Sequence, residues 1–106
     1  MKHKRTIATS IPPAVKYAVT RRDGGRCIFC RRYGDPVAHV IPRSQGGLGV
    51  EQNIITACWE CHQLLDNSPA RRGMLEYAQE YLRKYYGTWS REEVTYKKWQ
   101  DGGDTQ

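Results

Sequence analysis

Apolar and polar residues along this chain follow two different periods. Between residues 70 and 86, Met74, Leu75, Ala78, Tyr81, Leu82 and Tyr85 recur at helical spacing, and Gly87 closes the run. A shorter stripe of Ala14, Val15, Ala18 and Val19 predicts a helix over 14–22, entered through Pro12-Pro13 and ended by Asp23-Gly24-Gly25. Two other runs have β character: residues 37–41, where Val37, Val40 and Ile41 form the expected packing face and Pro42 ends the strand, and residues 53–58, "NIITAC". The glycine-rich loop between them, "RSQGGLGVEQN", lets the two pair as a hairpin. A short helix over 59–66 follows and stops near Asn67-Ser68-Pro69, and the Ser90/Glu93 capping-box pattern predicts a last helix through Trp99. Residues 1–11 read as a flexible basic arm and 101–106 as a flexible tail, leaving a single domain over 12–100.

Charge adds a direction to this outline. The formal charge is +6, but residues 1–32 hold nine of the lysines and arginines against one acid, Asp23, while the remainder is slightly acidic. A positive field concentrated in one third of a small chain suits a polyanion such as nucleic acid, and serves solubility equally well. No apolar run approaches a membrane span or a signal-peptide core, so the expected location is the cytoplasm, where thiols stay reduced.

Reduced thiols matter because the cysteines come in two pairs, Cys27-x-x-Cys30 and Cys58-x-x-Cys61, separated by 27 residues. Two such knuckles sharing one ion form the usual tetrahedral Zn2+ site, and thiolate is too soft a ligand to favour magnesium or calcium. A redox pair or two disulfides are the competing readings. A four-cysteine site has no open position for water, so it is expected to staple the fold rather than catalyse. Four thiolates on Zn2+ sum to a charge of −2, which Arg26, Arg31 and Arg32 are placed to offset in part.

Between and beside the knuckles, "AHVIPRSQGG", "NIITAC" and "CWECH" together resemble the HNH endonucleases, especially small zinc-stapled phage and prophage members. His39, Pro42, Gly46-Gly47, Asn53 and Cys61-His62 occur in that family's order, within residues 17–68. The resemblance implies an α+β fold: a ββα-metal motif on a four-cysteine zinc knuckle, flanked by N- and C-terminal helices. It implies a metal-dependent DNA endonuclease in a bacterial host cell, with His39 as general base and Asn53 tying the loop back to orient it. His62 would ligate one catalytic divalent ion, Mg2+ or Mn2+, with Ni2+ as a further candidate. Asp66, four residues on and on the same helix face, would stand where the bacteriocin branch has a second histidine. A solvated helix-end aspartate is the alternative for Asp66. Double-stranded DNA is the implied substrate, and phage members of the family often act beside a terminase.

One position departs from the family pattern. Many members carry an aspartate or histidine ligand immediately before the general base, and this chain has Ala38. Either Asp66 or Asp35 completes the shell, or waters fill it, or the protein binds DNA without cutting it. Arg43, Arg71 and Arg72, followed by the arm residues Lys2, Lys4 and Arg5, are the expected phosphate contacts, which position DNA without reading its sequence. The competing function is a non-catalytic zinc-ribbon DNA-binding module, which explains the cysteines and the charge but leaves His39, Asn53 and His62 without a role.

Overall fold

Strand alternation around His39 organises the fold. In the computed structural model, which describes residues 4–97, β1 (Asp35–His39) runs antiparallel to β2 (Ile54–Ala57), with Ala38 opposite Ile55 and His39 opposite Ile54. Successive side chains point to opposite faces, so Ala38 and Val40 enter the core while Val37 and His39 turn toward an open cleft. The expectation that Val37 packs with Val40 and Ile41 is therefore corrected: Val37 is 36% exposed and shares the face of His39.

All four residues of β2 are buried, although the sheet has only two strands. Ile55 and Ala57 join Ala38, Val40, Ile28 and the cysteines, and Leu65 of α3 (Trp59–Asn67) and Ala78 and Leu82 of α4 (Arg71–Tyr86) complete this core. A further helix, α2 (Pro13–Asp23), packs across both strands. On α4 the buried stripe is slightly rotated from the predicted one: Tyr86 packs on the core and Tyr85 is exposed.

The end of α2 carries a polar clamp that hydrophobic patterning does not reveal. Arg22 grips Asp23 through two hydrogen bonds of 2.7 and 3.0 Å, and also donates to the carbonyls of Glu51 and Ile54 and to the Tyr86 hydroxyl. Asp23 in turn accepts from the Thr56 N–H at 3.0 Å and the Tyr81 hydroxyl at 2.6 Å. Its side chain is 0% exposed, and that of Arg22 6%. One ion pair thus ties α2, β2 and α4 together, with the Arg22 guanidinium also facing the rings of Tyr81, Tyr85 and Tyr86.

Beside this clamp, the buried Thr56 hydroxyl helps hold the Asp23 carboxyl in its charged form.

Two segments differ from expectation. The arm is not unstructured throughout, since Lys4–Thr9 form a helix, α1, that is tied to the rest of the chain. Gly49 donates to the Ala8 carbonyl at 3.0 Å, and its missing Cβ is what lets the Ser10 carbonyl lie against it; an added Cβ would sit 1.9 Å from that oxygen. Near the other end, the predicted helix is replaced over the described residues by a single 3-10 turn, Glu92–Val94, and then an extended Thr95. Backbone bonds from Leu48 to Val94 and from Tyr96 to Gly46 draw this segment alongside the glycine loop and leave no helical pairing there. The Ser90 hydroxyl still accepts from the Glu93 N–H, as the capping pattern requires. The predicted continuation through Trp99 and the tail over 101–106 lie outside the described residues, as does Lys2.

Candidate functional site

The first centre is the sulfur cluster. The Sγ atoms of Cys27, Cys30, Cys58 and Cys61 all lie within 4.8 Å of one another. Tetrahedral zinc with bonds of about 2.3 Å needs sulfurs separated by roughly 3.8 Å, so the four are positioned to bind one such ion. The knuckles are built by the backbone. Arg31 adopts φ +71°, its N–H donates to the Cys27 carbonyl, and the Cys27 N–H donates to the carbonyl of Arg32. In the second knuckle the Cys61 N–H points at Cys58 Sγ, 3.4 Å away. A backbone hydrogen bond from Arg32 heads the causes that pull the Cys30 thiol down to about 6, whereas burial pushes Cys58 and Cys61 up. A bound soft cation reverses that burial penalty by holding the thiolate form.

The second centre is a cleft of about 780 Å3 lined by His39, His62, Asp66, Arg43, Arg71 and Lys16, with Ser10, Val37 and Gln45 among its other walls. His39 reaches it from the end of β1 and is half-buried. Its Nε2 lies 2.8 Å from the Thr9 carbonyl. A carbonyl only accepts, so Nε2 carries the hydrogen and Nδ1 keeps the lone pair. Burial, followed by the positive charge of Arg43, lowers the pKa of His39 below the usual imidazole value, against the opposing pull of the Thr9 carbonyl and Asp66. The ring is therefore neutral at pH 7.

His62 and Asp66 come from successive turns of α3, with Nε2 and Oδ2 3.5 Å apart. Both are partly open to solvent. A nitrogen and a carboxylate oxygen this close offer two adjacent donors to a hydrated divalent ion, which commonly keeps several waters and completes its shell on phosphate. Ala38 contributes nothing, since its side chain is wholly buried on the opposite face of β1, and Asp35 is not among the residues that line the cleft.

Asn53 does not reach the cleft. It is fully buried behind it, where Oδ1 accepts from the Ile41 N–H at 2.8 Å and Nδ2 donates to the carbonyls of Ile41 and Leu48. Its own carbonyl accepts from Val40, so one residue locks the exit of β1 to the entry of β2. Gly47 makes that lock possible: a Cβ there would stand 1.6 Å from the Ile41 carbonyl oxygen and 2.9 Å from Asn53 Nδ2.

Of Arg43, Arg71 and Arg72, the foremost of the expected phosphate contacts, Arg43 and Arg71 line the cleft. Arg71 is steadied by donating to the Leu65 carbonyl at 3.0 Å, and Arg43 reaches Ser10 Oγ at 3.3 Å. Arg72 stands outside the cleft and pairs with Glu76 on the exposed side of α4. Two participants were missed by sequence reasoning. Lys16 has no motif around it, and the Thr9 group that orients His39 is a backbone carbonyl, to which any residue type contributes equally.

Residues 27–68 match the family model described as HNH endonuclease, a span that contains both cysteine pairs, His39, Asn53, His62 and Asp66. The chain thus carries a region that matches the HNH family, which points to a nuclease or DNA-binding role. No curated protein matches the chain. Among the described residues, no helix is long and apolar enough to cross a membrane.

Proposed function

We propose that this HNH region is the centre of a metal-dependent endonuclease that hydrolyses phosphodiester bonds in double-stranded DNA with low sequence specificity. The observation that carries the reading is the gathering of His39, His62 and Asp66 into one cleft with Lys16, Arg43 and Arg71. The basic side chains seat a phosphate by charge and bidentate hydrogen bonding, contacts that carry no sequence information. His39, neutral and held by Thr9, takes a proton from water at Nδ1 as the water oxygen attacks phosphorus and the bond to the 3′ oxygen breaks. His62 and Asp66 would hold the divalent ion, Mg2+ or Mn2+ with Ni2+ as a further candidate, and that ion would supply electrostatic stabilisation of the charge that grows on the phosphate oxygens. Asn53 acts as a positioning residue, because the strand end it locks is the one that aims His39.

Supercoiled plasmid incubated with each ion is expected to be nicked by the parent protein, and His39→Ala to lose about 10²- to 10⁴-fold in rate. Equal background cutting by both proteins rules out this mechanism and favours the second reading, a non-catalytic zinc-ribbon DNA binder, to which the ligand missing at Ala38 lends support. The pH profile adds a sign. Only the neutral imidazole accepts a proton, and its pKa lies below the ordinary value, so nicking should rise through a point below about pH 6.5 and be level at pH 7. An acid limb centred above pH 7 would contradict this. A terminase partner rests on the family resemblance alone, and co-purification with a terminase subunit tests it.

A further inference from the structure

Beside the cleft of His39, and sharing Arg43 and Ser44 with it, lies a smaller concavity of about 320 Å3 lined by Arg5, Thr6, Thr9, Arg43 and Ser44. Among the described residues its lining draws on two arginines, three hydroxyl-bearing residues and no carboxylate, with the Thr9 hydroxyl already donating to the Arg5 and Thr6 carbonyls. The other arginines with acidic neighbours spend their charge within the protein, as in Arg22 with Asp23, Arg72 with Glu76 and Arg83 with Glu80. Arg5 is arranged differently. One of its nitrogens, Nη2, donates to the carbonyls of Arg43 at 3.2 Å and Ser44 at 2.8 Å, which fixes the plane of the guanidinium while its other donors are left for a ligand.

We infer that this concavity is a second phosphate seat, which holds a backbone phosphodiester neighbouring the one presented to His39. The inference rests on the proposed nuclease reading and extends it beyond the HNH region, into α1. Two arginines at one concavity, with the hydroxyls of Thr6 and Ser44 beside them, suit a phosphate oxygen fork better than any neutral ligand. Continuity through Arg43 and Ser44 makes the occupant part of the same strand, since phosphates follow one another along a strand at about 3.4 Å of helix axis each. The arrangement also gives the N-terminal helix a purpose. Thr9 orients the base with its carbonyl while Arg5, one turn earlier, holds the substrate backbone next to it.

Binding to a short duplex, measured over a series of salt concentrations with His39→Ala as the parent so that nothing is cut, tests the seat separately from catalysis. Adding Arg5→Gln is expected to weaken binding several-fold and to reduce the slope of log affinity against log salt by about 0.9, the loss of one phosphate contact. Arg5→Lys should retain most of that slope. Thr6→Glu, which places a carboxylate in the seat and leaves the Arg5 hydrogen bonds intact, should weaken duplex binding at least as much, with zinc content and melting midpoint unchanged. Unaltered salt slopes in both Arg5→Gln and Thr6→Glu overturn the proposal, even if plasmid nicking succeeds. Equal binding of 5′-hydroxyl and 5′-phosphorylated duplexes, each displaced alike by millimolar inorganic phosphate, is the result expected of an internal phosphodiester. Preference for the 5′-phosphorylated end would overturn that assignment in favour of a terminal phosphate.

Discussion

Removal of the metal from the four-cysteine cluster is expected to unfold the protein, and Cys27→Ser to prevent it from folding. The reason lies in where the sulfurs sit. Cys27, Cys58 and Cys61 are buried and belong to the same cluster as Ile28, Ala38, Ile55, Ala57, Leu65 and Leu82, so the metal site is continuous with the core. A chain of 106 residues has a small core to begin with. Structural zinc contributes about 10–16 kcal/mol in small zinc-dependent domains, as much as or more than the roughly 5–15 kcal/mol that typically separates folded from unfolded states. Zinc analysis should return one ion per chain. Chelation should abolish the cooperative melting transition, and re-addition of zinc should restore it. A metal-free, fully reduced protein that melts at the same temperature would refute the staple.

Asp23→Ala is expected to cost about 3–5 kcal/mol, a large effect for a residue at the end of a helix. The substitution leaves the Arg22 guanidinium without its carboxylate in a nearly closed environment, and strips the Thr56 N–H and the Tyr81 hydroxyl of their acceptor. Asp23→Asn should cost less, because the amide oxygen can still accept one of these bonds. Burial acts to raise the Asp23 carboxyl, but hydrogen bonds from Arg22 and Tyr81, with the Arg22 charge, outweigh it and hold the pKa below the ordinary value. The sign for stability follows from that depression. The contribution of Asp23 is complete above the unfolded value of about 3.9 and is lost as pH falls through the lower folded value, so it weakens only in strong acid. Denaturant unfolding of the zinc-loaded protein at neutral pH measures the loss; a change under about 1 kcal/mol would show that the clamp is dispensable.

The parts of this molecule that were legible in advance depend on spacing along the chain. Two i, i+3 cysteine pairs predict a shared ion because that spacing alone turns both sulfurs of a knuckle the same way. His62 and Asp66 were legible because four residues on a helix make neighbours. The hairpin, α3 and α4 were read to within a residue or two from apolar periodicity. Reading failed where the determinant was not a pattern. Val37 and Ala38 are both small and apolar, and only the pairing register with β2 decides which of them faces the core. Arg22 and Asp23 looked like charge and a helix stop, since nothing in a local window announces that Glu51, Ile54, Thr56, Tyr81 and Tyr86 will converge on them.

The sequence by itself thus determined the donor types and their local geometry: the four sulfurs, the imidazole of His39 at a strand end, and His62 with Asp66 on one helix face. Tertiary structure decided which of these meet and what surrounds them. It sent Ala38 inward and His39 outward, buried Asn53 behind the cleft where it ties the loop back, and excluded Arg72. It also brought a segment read as a loose arm against His39, through the carbonyl of Thr9, and against Arg43 and Ser44, through the side chain of Arg5. Side-chain chemistry and helical spacing are properties of short stretches, whereas strand register, burial and backbone carbonyl contacts arise only when distant stretches close on one another.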